Sequence, residues 1–486
     1  MFRRKRSVTR SGEPVFYLGQ EVAGMKLILR IMLVIVLLAL QAEALAAKVQ
    51  GIRTSSSATK VRIVLDCDGP VAYKDTSAGL TVSLELAGEA KAVAGVKLND
   101  RVLQKVQLVQ ESKDKSYLLV NLSKQAQHQV LVLKHPDRIV LDVYRIAIIR
   151  EHDNLGKGLA YNFWQDDLNG RPLRFYFLEL APQSGYEVRP FSAALDGTGR
   201  GRLQRAAAQT GAKAVVNACY FDTDGWVIGN CKADGDWLGA DGDYARSALV
   251  IEQNGRPSVQ KGLQYNGTVA LPGGKVLQIR GMNRERLAGD LVLYNRNYGH
   301  STGTNEFGRE VKLVQGRVTE VDTKGNMSLE SGSIVLSGHG ANADALAGLK
   351  KGERVNLVQT LGNATADAAD VVVGAGPSLL TEGKLDVRSE AEQIAGDIAW
   401  GRSPRTAVGI RPDGTLLILV ADGRSSVSAG LTLNELARYL QKLGASQAVN
   451  FDGGGSSEMV LNGRIVNRPS DGEERPVSIA LGIFAK

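Results

Sequence analysis

Apolar and polar residues alternate with a period of two in several short runs between residues 48 and 146. In the clearest run, Leu80–Leu86, every second residue is apolar and the residues between are polar or charged. Turn clusters such as Asp-Gly-Pro at 68–70 separate the runs, and no long helical period interrupts them. The pattern predicts a small β-sandwich over residues 48–146. Further strands are predicted at Val61–Leu65, Val106–Val109, Tyr117–Leu122, Val130–Leu133 and Ile139–Val143.

Helical and strand periods are mixed over residues 150–486. The clearest helix begins at Thr432, because Thr432 and Glu435 have the spacing of a capping box and leucines recur on one face. Gly444 stands where that helix should end, and a strand, 448–451, follows at once. The fold class predicted for the chain is therefore α+β, a small N-terminal β-sandwich followed by a larger mixed α/β catalytic domain. A shorter helix, 203–210, is predicted to lead into a strand at 214–217.

The first 46 residues have the pattern of a leader. Lys26 and Arg30 precede the apolar run Ile31–Leu40, and Ala-Leu-Ala at 44–46 has the small residues of a cleavage site. We expect a signal peptide over residues 25–46, with Met25 as a candidate start. An uncleaved membrane anchor is the alternative, although the apolar run is short for a bilayer span of about 20 residues. Both interpretations predict export, to the periplasm or cell envelope.

Charge argues against a nucleic-acid partner. The net charge is +8, and the leader carries a net +4 of it, so +4 remains on more than 400 residues. Lys and Arg form no run after residue 46, whereas nucleic-acid binding proteins cluster them on one face. We therefore expect no nucleic acid among the partners.

The chain has three cysteines and five histidines. Cys219 and Cys231 flank a predicted hairpin and could form a disulfide in an oxidising compartment, with two buried thiols as the equal alternative. No second Cys or His pair has the spacing of a zinc site. The histidines form no H-E-x-x-H motif.

The most informative motif is Asp-Gly-Gly-Gly-Ser-Ser-Glu at residues 452–458. A carboxylate at the end of a buried strand is held rigidly, and successive glycines allow backbone N–H groups to approach a ligand closely. A simple turn does not need three glycines, which carry an entropic cost. The motif therefore predicts a functional loop. Polar groups at other strand ends add Arg, Asp and Asn, which suit an anionic, hydroxylated ligand. The predicted substrate-binding residues are Asn217, Arg405, Arg424, Gly453, Gly454, Gly455, Ser456, Ser457, Asn467 and Arg468.

Two resemblances to known families rest on these motifs. Residues 136–143, Pro-Asp-Arg-Ile-Val-Leu-Asp-Val, resemble part of the AMIN domain, which implies attachment to cell-wall or envelope polysaccharide. The second region resembles the phosphodiester glycosidase family, which implies hydrolysis of the bond between a sugar's anomeric carbon and phosphate in a sugar-phosphate glycan. The motifs that carry the second resemblance are 217–221, 298–305, 308–311, 336–340, 403–407, 422–424, 450–457 and 467–471.

The resemblance implies a mechanism with carboxylates. Asp452 would act as nucleophile or as base toward water, with Asp422 or Glu310 as its partner. No organic cofactor is expected, and a divalent cation at Asp452 and Asp422 stays open. Other enzyme classes fit less well, because Gly-Ala-Gly-Pro at 374–377 lacks the third glycine of a dinucleotide site and no G-x-S-x-G surrounds the serines. The alternative function is an envelope protein that binds sugar phosphates or polysaccharide without cleaving them.

Overall fold

The computed structural model describes residues 47–91, 93–97 and 100–486. They divide into two compact units, one ending at Arg145 and one comprising Ile146–Lys486 together with Ser57–Thr59. The predicted signal peptide lies outside the described residues. Within the described ranges, no helix combines the length and apolar character that crossing a bilayer requires.

The first unit consists of two antiparallel sheets. One has the strand order β1-β2-β9-β8 and the other β3-β4-β7-β6-β5. The strands are β1 (Val49–Ser56), β2 (Lys60–Cys67), β3 (Tyr73–Asp75), β4 (Thr81–Ala87), β5 (Val93–Lys97), β6 (Leu103–Ser112), β7 (Lys115–Leu122), β8 (His128–Leu133) and β9 (Arg138–Tyr144).

One hydrophobic core joins the faces of these two sheets. In β4, Leu84 and Leu86 are fully buried, while Glu85 between them is more exposed. They share the core with Ile63 and Leu65 of β2, which belongs to the other sheet. The period-two pattern buries one face of each strand in this way. The first unit is therefore a β-sandwich.

The second unit contains 28 strands and five helices among the described residues. Its elements are β10 (Ile149–Gly156), β11 (Leu159–Leu168), β12 (Arg171–Leu180), β13 (Tyr186–Ser192), α1 (Leu203–Thr210), β14 (Ala214–Asn217), β15 (Tyr220–Phe221), β16 (Val227–Ile228), β17 (Asn230–Ala233), β18 (Asp236–Asp241), β19 (Arg246–Ile251), β20 (Pro257–Leu263), β21 (Asn266–Ala270), β22 (Val276–Ile279), β23 (Gly281–Met282), β24 (Leu291–Tyr294), β25 (Gly308–Val314), β26 (Arg317–Asp322), β27 (Ser333–His339), α2 (Ala341–Leu346), β28 (Asn356–Thr360), α3 (Ala364–Ala368), β29 (Val371–Gly374), β30 (Ser378–Thr381), β31 (Lys384–Leu385), α4 (Gly396–Trp400), β32 (Arg405–Ile410), β33 (Leu416–Ala421), α5 (Leu433–Lys442), β34 (Gln447–Asn450), β35 (Met459–Leu461), β36 (Arg464–Ile465) and β37 (Ile479–Ala485).

Among the described residues, about half are in strands, 49%, and 9% are in helices, which confirms a β-rich fold. Mixing of helix and strand in the second unit is more limited than the sequence predicted. Its helices are five to ten residues long. Strand pairs in the described sheets are antiparallel except for β23 and β24. Most of the unit is therefore antiparallel sheet.

Two sheets of the second unit carry the segments that form the candidate site. An eight-stranded sheet has the order β10-β11-β12-β33-β32-β34-β30-β31, and a five-stranded sheet has the order β13-β37-β14-β35-β36. Residues of both sheets share one buried core, including Val408 and Val449 from the first and Val216 and Met459 from the second. Strands that are distant in sequence are therefore held against each other.

Helix α5 has the predicted ends and supports the strand beside it. Thr432 Oγ1 accepts a hydrogen bond from the Glu435 backbone N–H at 3.3 Å, and the Glu435 carboxylate accepts one from the Thr432 N–H at 2.9 Å. Gly444 follows with φ +90°, a conformation that suits glycine. The helix buries Leu436 and its neighbouring leucines against the eight-stranded sheet. Strand β34 comes next and leads into the glycine-rich loop. This predicted helix and its capping box are confirmed.

Candidate active site

Asn217 ties three segments of the site together. At the end of β14, its Nδ2 donates a hydrogen bond to the backbone carbonyl of Asp452 at 2.6 Å. Its Oδ1 accepts from Thr406 Oγ1 at 2.7 Å and from the Glu458 N–H at 3.2 Å. The Asn217 side chain is 1% exposed. Because both polar atoms of the amide bind groups inside the protein, Asn217 positions the glycine-rich loop.

Asp452 has the environment of an acid–base group. Its backbone N–H donates to the carbonyl of Ala218 at 2.9 Å, so the residue is fixed to the end of β14 as well as to β34. The carboxylate accepts hydrogen bonds from the Gly453 N–H at 2.8 Å and from the Ser456 side chain. Burial raises the pKa of Asp452 to about 6, although those hydrogen bonds and the charge of Arg475 act in the opposite direction. Asp452 is thus able to exchange a proton near neutral pH.

Two arginines lie directly on the glycine-rich loop. The Arg424 guanidinium lies 3.2 Å from where a Cβ on Gly454 would stand, and Gly454 has φ +61°. Arg475 and Asp471 occupy the space that a Cβ on Gly455 would need. Side chains at these two positions would push the cations away. The glycines therefore allow positive charge to approach the loop beside Asp452.

The two arginines differ in their pairing. Arg475 is bound to Asp471 through Nε at 2.8 Å and Nη2 at 2.5 Å, so much of its charge is balanced. Arg424 is exposed, and the hydrogen bond found for its side chain among the described residues is a 3.5 Å bond to Ser403 Oγ. Arg424 is therefore well suited to meet an anion from solution. Arg475 was not among the predicted substrate-binding residues, although its position four residues after Asp471 in a polar loop was a usable signal.

Arg405 does not have the role predicted from the sequence. It is 1% exposed, and its guanidinium donates to three backbone carbonyls, those of Leu431 at 3.0 Å, Ile398 at 2.9 Å and Gly401 at 2.6 Å. Burial lowers the pKa of the guanidinium. Arg405 thus fixes the segment around α4 and the loop before α5, where the Leu431 carbonyl also accepts from the Ser403 N–H at 3.2 Å. Sequence alone did not reveal that these carbonyls would converge on it.

This difference predicts distinct effects of two arginine substitutions on stability. Arg405→Lys keeps the charge but loses the planar fork, so buried carbonyls are left without donors. We expect it to lower the free energy of unfolding by about 2–4 kcal/mol. Arg424→Lys, at an exposed position, should melt within about 0.5 kcal/mol of wild type. Denaturant unfolding measures both. If Arg405→Lys is as stable as wild type, Arg405 is again a candidate ligand-binding residue.

Asp422 lies behind the loop and is mostly engaged by the protein. It is 2% exposed, and its carboxylate accepts hydrogen bonds from Tyr176 Oη at 3.2 Å, Asn467 Nδ2 at 3.2 Å and the Arg468 N–H at 2.9 Å. Burial raises the pKa of Asp422. Asn467 also donates to the Ser457 carbonyl at 3.0 Å. Asp422 and Asn467 therefore anchor the segment that covers the glycine-rich loop, while the Arg468 side chain is exposed.

Glu310 is not brought to this site. It lies on β25 of the ten-stranded sheet and is fully buried. Its carboxylate accepts from Thr302 at 3.1 Å, Thr304 at 3.0 Å and the Met327 N–H at 2.8 Å. These donors satisfy a buried carboxylate locally, so a partnership with Asp452 is unsupported.

Ser457 is buried, and its hydroxyl has no hydrogen-bond partner in the described part of the chain.

Cys219 and Cys231 are free thiols, not a disulfide, and both are buried. Burial and the adjacent Cys219 thiol raise the pKa of Cys231. The described residues contain no group of three or more His, Cys, Asp and Glu side chains that could hold a metal.

Glu458 is a second titratable group that sequence reasoning missed. It follows the two serines of the motif and is 2% exposed. Burial raises its pKa to about 9, and a hydrogen bond from Glu458 to the carboxyl group of Glu474 acts in the same direction. A neutral carboxylic acid at this position keeps negative charge away from the loop. The signal was its place in the motif, but only the fold brings Glu474 to it.

A protein-family model matches part of the second unit. Residues 308–484 match the family model described as phosphodiester glycosidase. The phosphodiester glycosidase match covers the segments of Arg405, Asp422 and the glycine-rich loop, whereas Asn217 and Arg246 lie before it.

Curated relatives match the chain over short stretches. The SPbeta prophage-derived uncharacterized protein YomE of Bacillus subtilis is 34% identical over 131 residues, 26% of this chain and 20% of that protein. Human N-acetylglucosamine-1-phosphodiester alpha-N-acetylglucosaminidase is 44% identical over 69 residues, 14% of this chain and 13% of that enzyme. The chain thus spans one fifth or less of the length of these relatives. By its name, the human protein is a hydrolase acting on a sugar phosphodiester.

Solved structures share the fold over most of the chain. A hypothetical protein from Synechocystis has a TM-score of 0.63 at 20% identity, covering 91% of this chain and 81% of that chain. A Burkholderia pseudomallei protein named "Putative exported protein" has a TM-score of 0.56 at 21% identity, covering 90% of this chain and 97% of that chain. At these identities the likeness concerns the fold alone.

Proposed function

We propose that this protein is an exported glycosidase that hydrolyses a sugar-1-phosphodiester bond in envelope or exopolysaccharide glycans. The observation that carries the proposal is Asp452, a carboxyl group with a pKa of about 6 on a glycine-rich loop flanked by Arg424 and Arg475. The family match of the same segment supports the chemistry. The human relative, named for a sugar phosphodiester, supports the substrate class.

The proposed reaction divides its tasks among few groups. The bond between the anomeric carbon and the phosphate oxygen breaks, and its electron pair leaves with the phosphate. Arg424 stabilises the negative charge that develops there. Asp452 takes a proton from water as the water oxygen bonds to the anomeric carbon, or it attacks that carbon itself and forms a glycosyl ester, which water then hydrolyses to release the sugar and restore the carboxylate. The products are a free sugar and a phosphate monoester.

The reaction needs less help from a second carboxylate than ordinary glycoside hydrolysis. A phosphate monoester is a good leaving group, so neutralising its charge matters more than protonating it. This agrees with the positions of the two predicted partners, since Asp422 is held by three donors and Glu310 by three others. Asp422 stays in the proposal as a residue that fixes the loop.

Export and wall binding complete the proposal. The leader pattern of residues 25–46 and the name of the Burkholderia protein with the same fold support an envelope location. The first unit, an AMIN-like β-sandwich by its resemblance, would bind cell-wall or envelope polysaccharide.

An isotope experiment tests the proposed reaction. Wild-type protein is incubated in ¹⁸O-water with a sugar 1-phosphodiester, such as methyl N-acetylglucosamine 1-phosphate, with and without chelator. We expect ¹⁸O in the sugar, because water attacks the anomeric carbon. Label in the phosphate would mean attack on phosphorus and a different enzyme class. Binding without any product would favour the non-catalytic sugar-phosphate binding protein.

A further inference from the structure

Arg246 is a buried cation without an anionic partner. It is the first residue of β19 and is 9% exposed. Its Nε is buried and makes no hydrogen bond. In the described part of the chain, no ion pair or hydrogen bond of this guanidinium is found. A buried charge is costly unless it is paired, so an unpaired arginine here calls for a ligand.

Two aromatic rings hold the guanidinium. Its Cζ lies 4.4 Å from the ring centroid of Tyr244 and 5.4 Å from that of Tyr220. Cation–π contacts orient the planar group and leave its positive charge and donors available. The next residue, Ser247, is bound to the Glu392 carboxylate through its N–H at 2.8 Å and its hydroxyl at 2.6 Å. The backbone that carries Arg246 is therefore fixed as well.

Tyr220 connects Arg246 to the site of Asp452. The Tyr220 hydroxyl accepts a hydrogen bond from Asn450 Nδ2 at 3.0 Å and donates to the Gly376 carbonyl at 3.1 Å. Asn450 is two residues before Asp452 on the strand that leads into the glycine-rich loop. Burial raises the pKa of Tyr220, the charge of Asp452 acts in the same direction, and the charge of Arg246 acts against it. Tyr220 thus contacts Arg246 through its ring and, through Asn450, the strand that leads to Asp452.

We propose that Arg246 forms an anion-binding subsite beside Asp452 and holds a phosphate oxygen of the substrate. This inference rests on the proposed function and deepens it, because it names the cation that fixes the phosphate. Arg405 is held by three carbonyls and Arg475 is paired with Asp471, whereas no protein acceptor among the described residues binds the Arg246 guanidinium. Arg246 would donate hydrogen bonds to the phosphate from the buried side, and the exposed Arg424 would bind the phosphate from the solvent side.

Binding of phosphate tests this assignment without requiring catalysis. Isothermal titration with inorganic phosphate and with N-acetylglucosamine 1-phosphate is performed on wild type, Arg246→Gln and Arg246→Lys. We expect Arg246→Gln to lower the affinity for both phosphate ligands at least about tenfold, since a charge-assisted hydrogen bond is lost. The affinity of Arg246→Lys should lie between those of wild type and Arg246→Gln, because lysine keeps the charge without the planar fork. Affinity for the neutral methyl glycoside should not change.

A matched control is Arg280→Gln in the same unit. Arg280 is 57% exposed in its side chain and pairs with Asp243 at 2.6 Å, so its loss removes equal charge from the surface. We expect phosphate affinity within about twofold of wild type, because exposed charges are screened. Equal weakening by Arg280→Gln and Arg246→Gln would mean a general charge effect and would overturn the subsite.

The outcomes separate this inference from the proposed function. Phosphate binding that depends on Arg246, without phosphodiester cleavage, supports the subsite and contradicts the enzyme. Cleavage and phosphate affinity that are unchanged in Arg246→Gln support the enzyme and overturn the subsite. If Arg246→Gln fails to fold, Arg246→Lys decides, and wild-type phosphate affinity in that variant overturns the proposal.

Discussion

Asp452→Asn is expected to lower turnover of a sugar 1-phosphodiester by about 10²–10⁴-fold, the contribution of a positioned acid or base. The substitution keeps the shape of the side chain and an oxygen that can accept from the Gly453 N–H, so the loop should keep its conformation. What is lost is the charge that takes a proton from water or attacks the anomeric carbon. Steady-state kinetics on wild type and variant give the ratio.

The same substitution should make the protein more stable at neutral pH. The folded-state pKa of Asp452, about 6, lies above the ordinary value of 3.8. The stabilising contribution of the protonated group is complete below pH 3.8, falls as the pH rises through the folded-state pKa, and is absent above it. Asparagine stays neutral at every pH. At pH 7.5, the free energy of unfolding of Asp452→Asn should exceed that of wild type by up to about 3 kcal/mol. Near pH 3.8 the two should differ little.

The pH dependence of wild-type activity provides an internal check. Because ionised Asp452 is required, kcat/KM should rise with pH through an apparent pKa near 6. Turnover of Asp452→Asn within about threefold of wild type would remove Asp452 from the mechanism. The glycine-rich loop would then be a binding element, and the non-catalytic alternative would gain support. A loss of turnover together with a loss of stability would indicate a disturbed loop.

Asn217→Asp is expected to cost about 3–5 kcal/mol of stability, because it places an uncompensated charge in a buried position. The Nδ2 donor to the Asp452 carbonyl, now at 2.6 Å, is replaced by an oxygen that repels it. The Oδ1 that accepts from Thr406 and the Glu458 N–H is retained. Asp452 should move as a result, and a small misplacement of a catalytic group can lower turnover about 10²-fold.

Protonation should partly restore this variant. A neutral carboxylic acid regains a donor toward the Asp452 carbonyl, so the stability gap to wild type should narrow at acidic pH. Asn254→Asp is the matched control, because Asn254 only accepts, from the Arg256 N–H at 2.8 Å, in an exposed turn. It should melt like wild type. If Asn217→Asp keeps wild-type stability and turnover, Asn217 does not position the loop.

Local pattern determined much of this protein from the sequence. The period-two runs predicted the β-sandwich, and the capping box at Thr432 predicted α5 with its C-terminal glycine. Asn462 and Gly463 form the turn of the hairpin β35–β36 with φ +51° and +75°, the conformation that an Asn-Gly pair favours between two paired strands. These features depend on residues within about ten positions of each other, so the sequence carries their physical cause directly.

Only the tertiary structure decided the roles of the site residues. Arg405 and Arg424 have the same chemistry and lie near each other in the chain, yet one is bound to three carbonyls and the other is exposed. Arg246 lies against the ring of Tyr220, which belongs to a different strand. Glu310 is satisfied by its own sheet. Which donors and acceptors a charged side chain meets depends on contacts between distant segments, and burial sets the resulting pKa and the cost of an unpaired group.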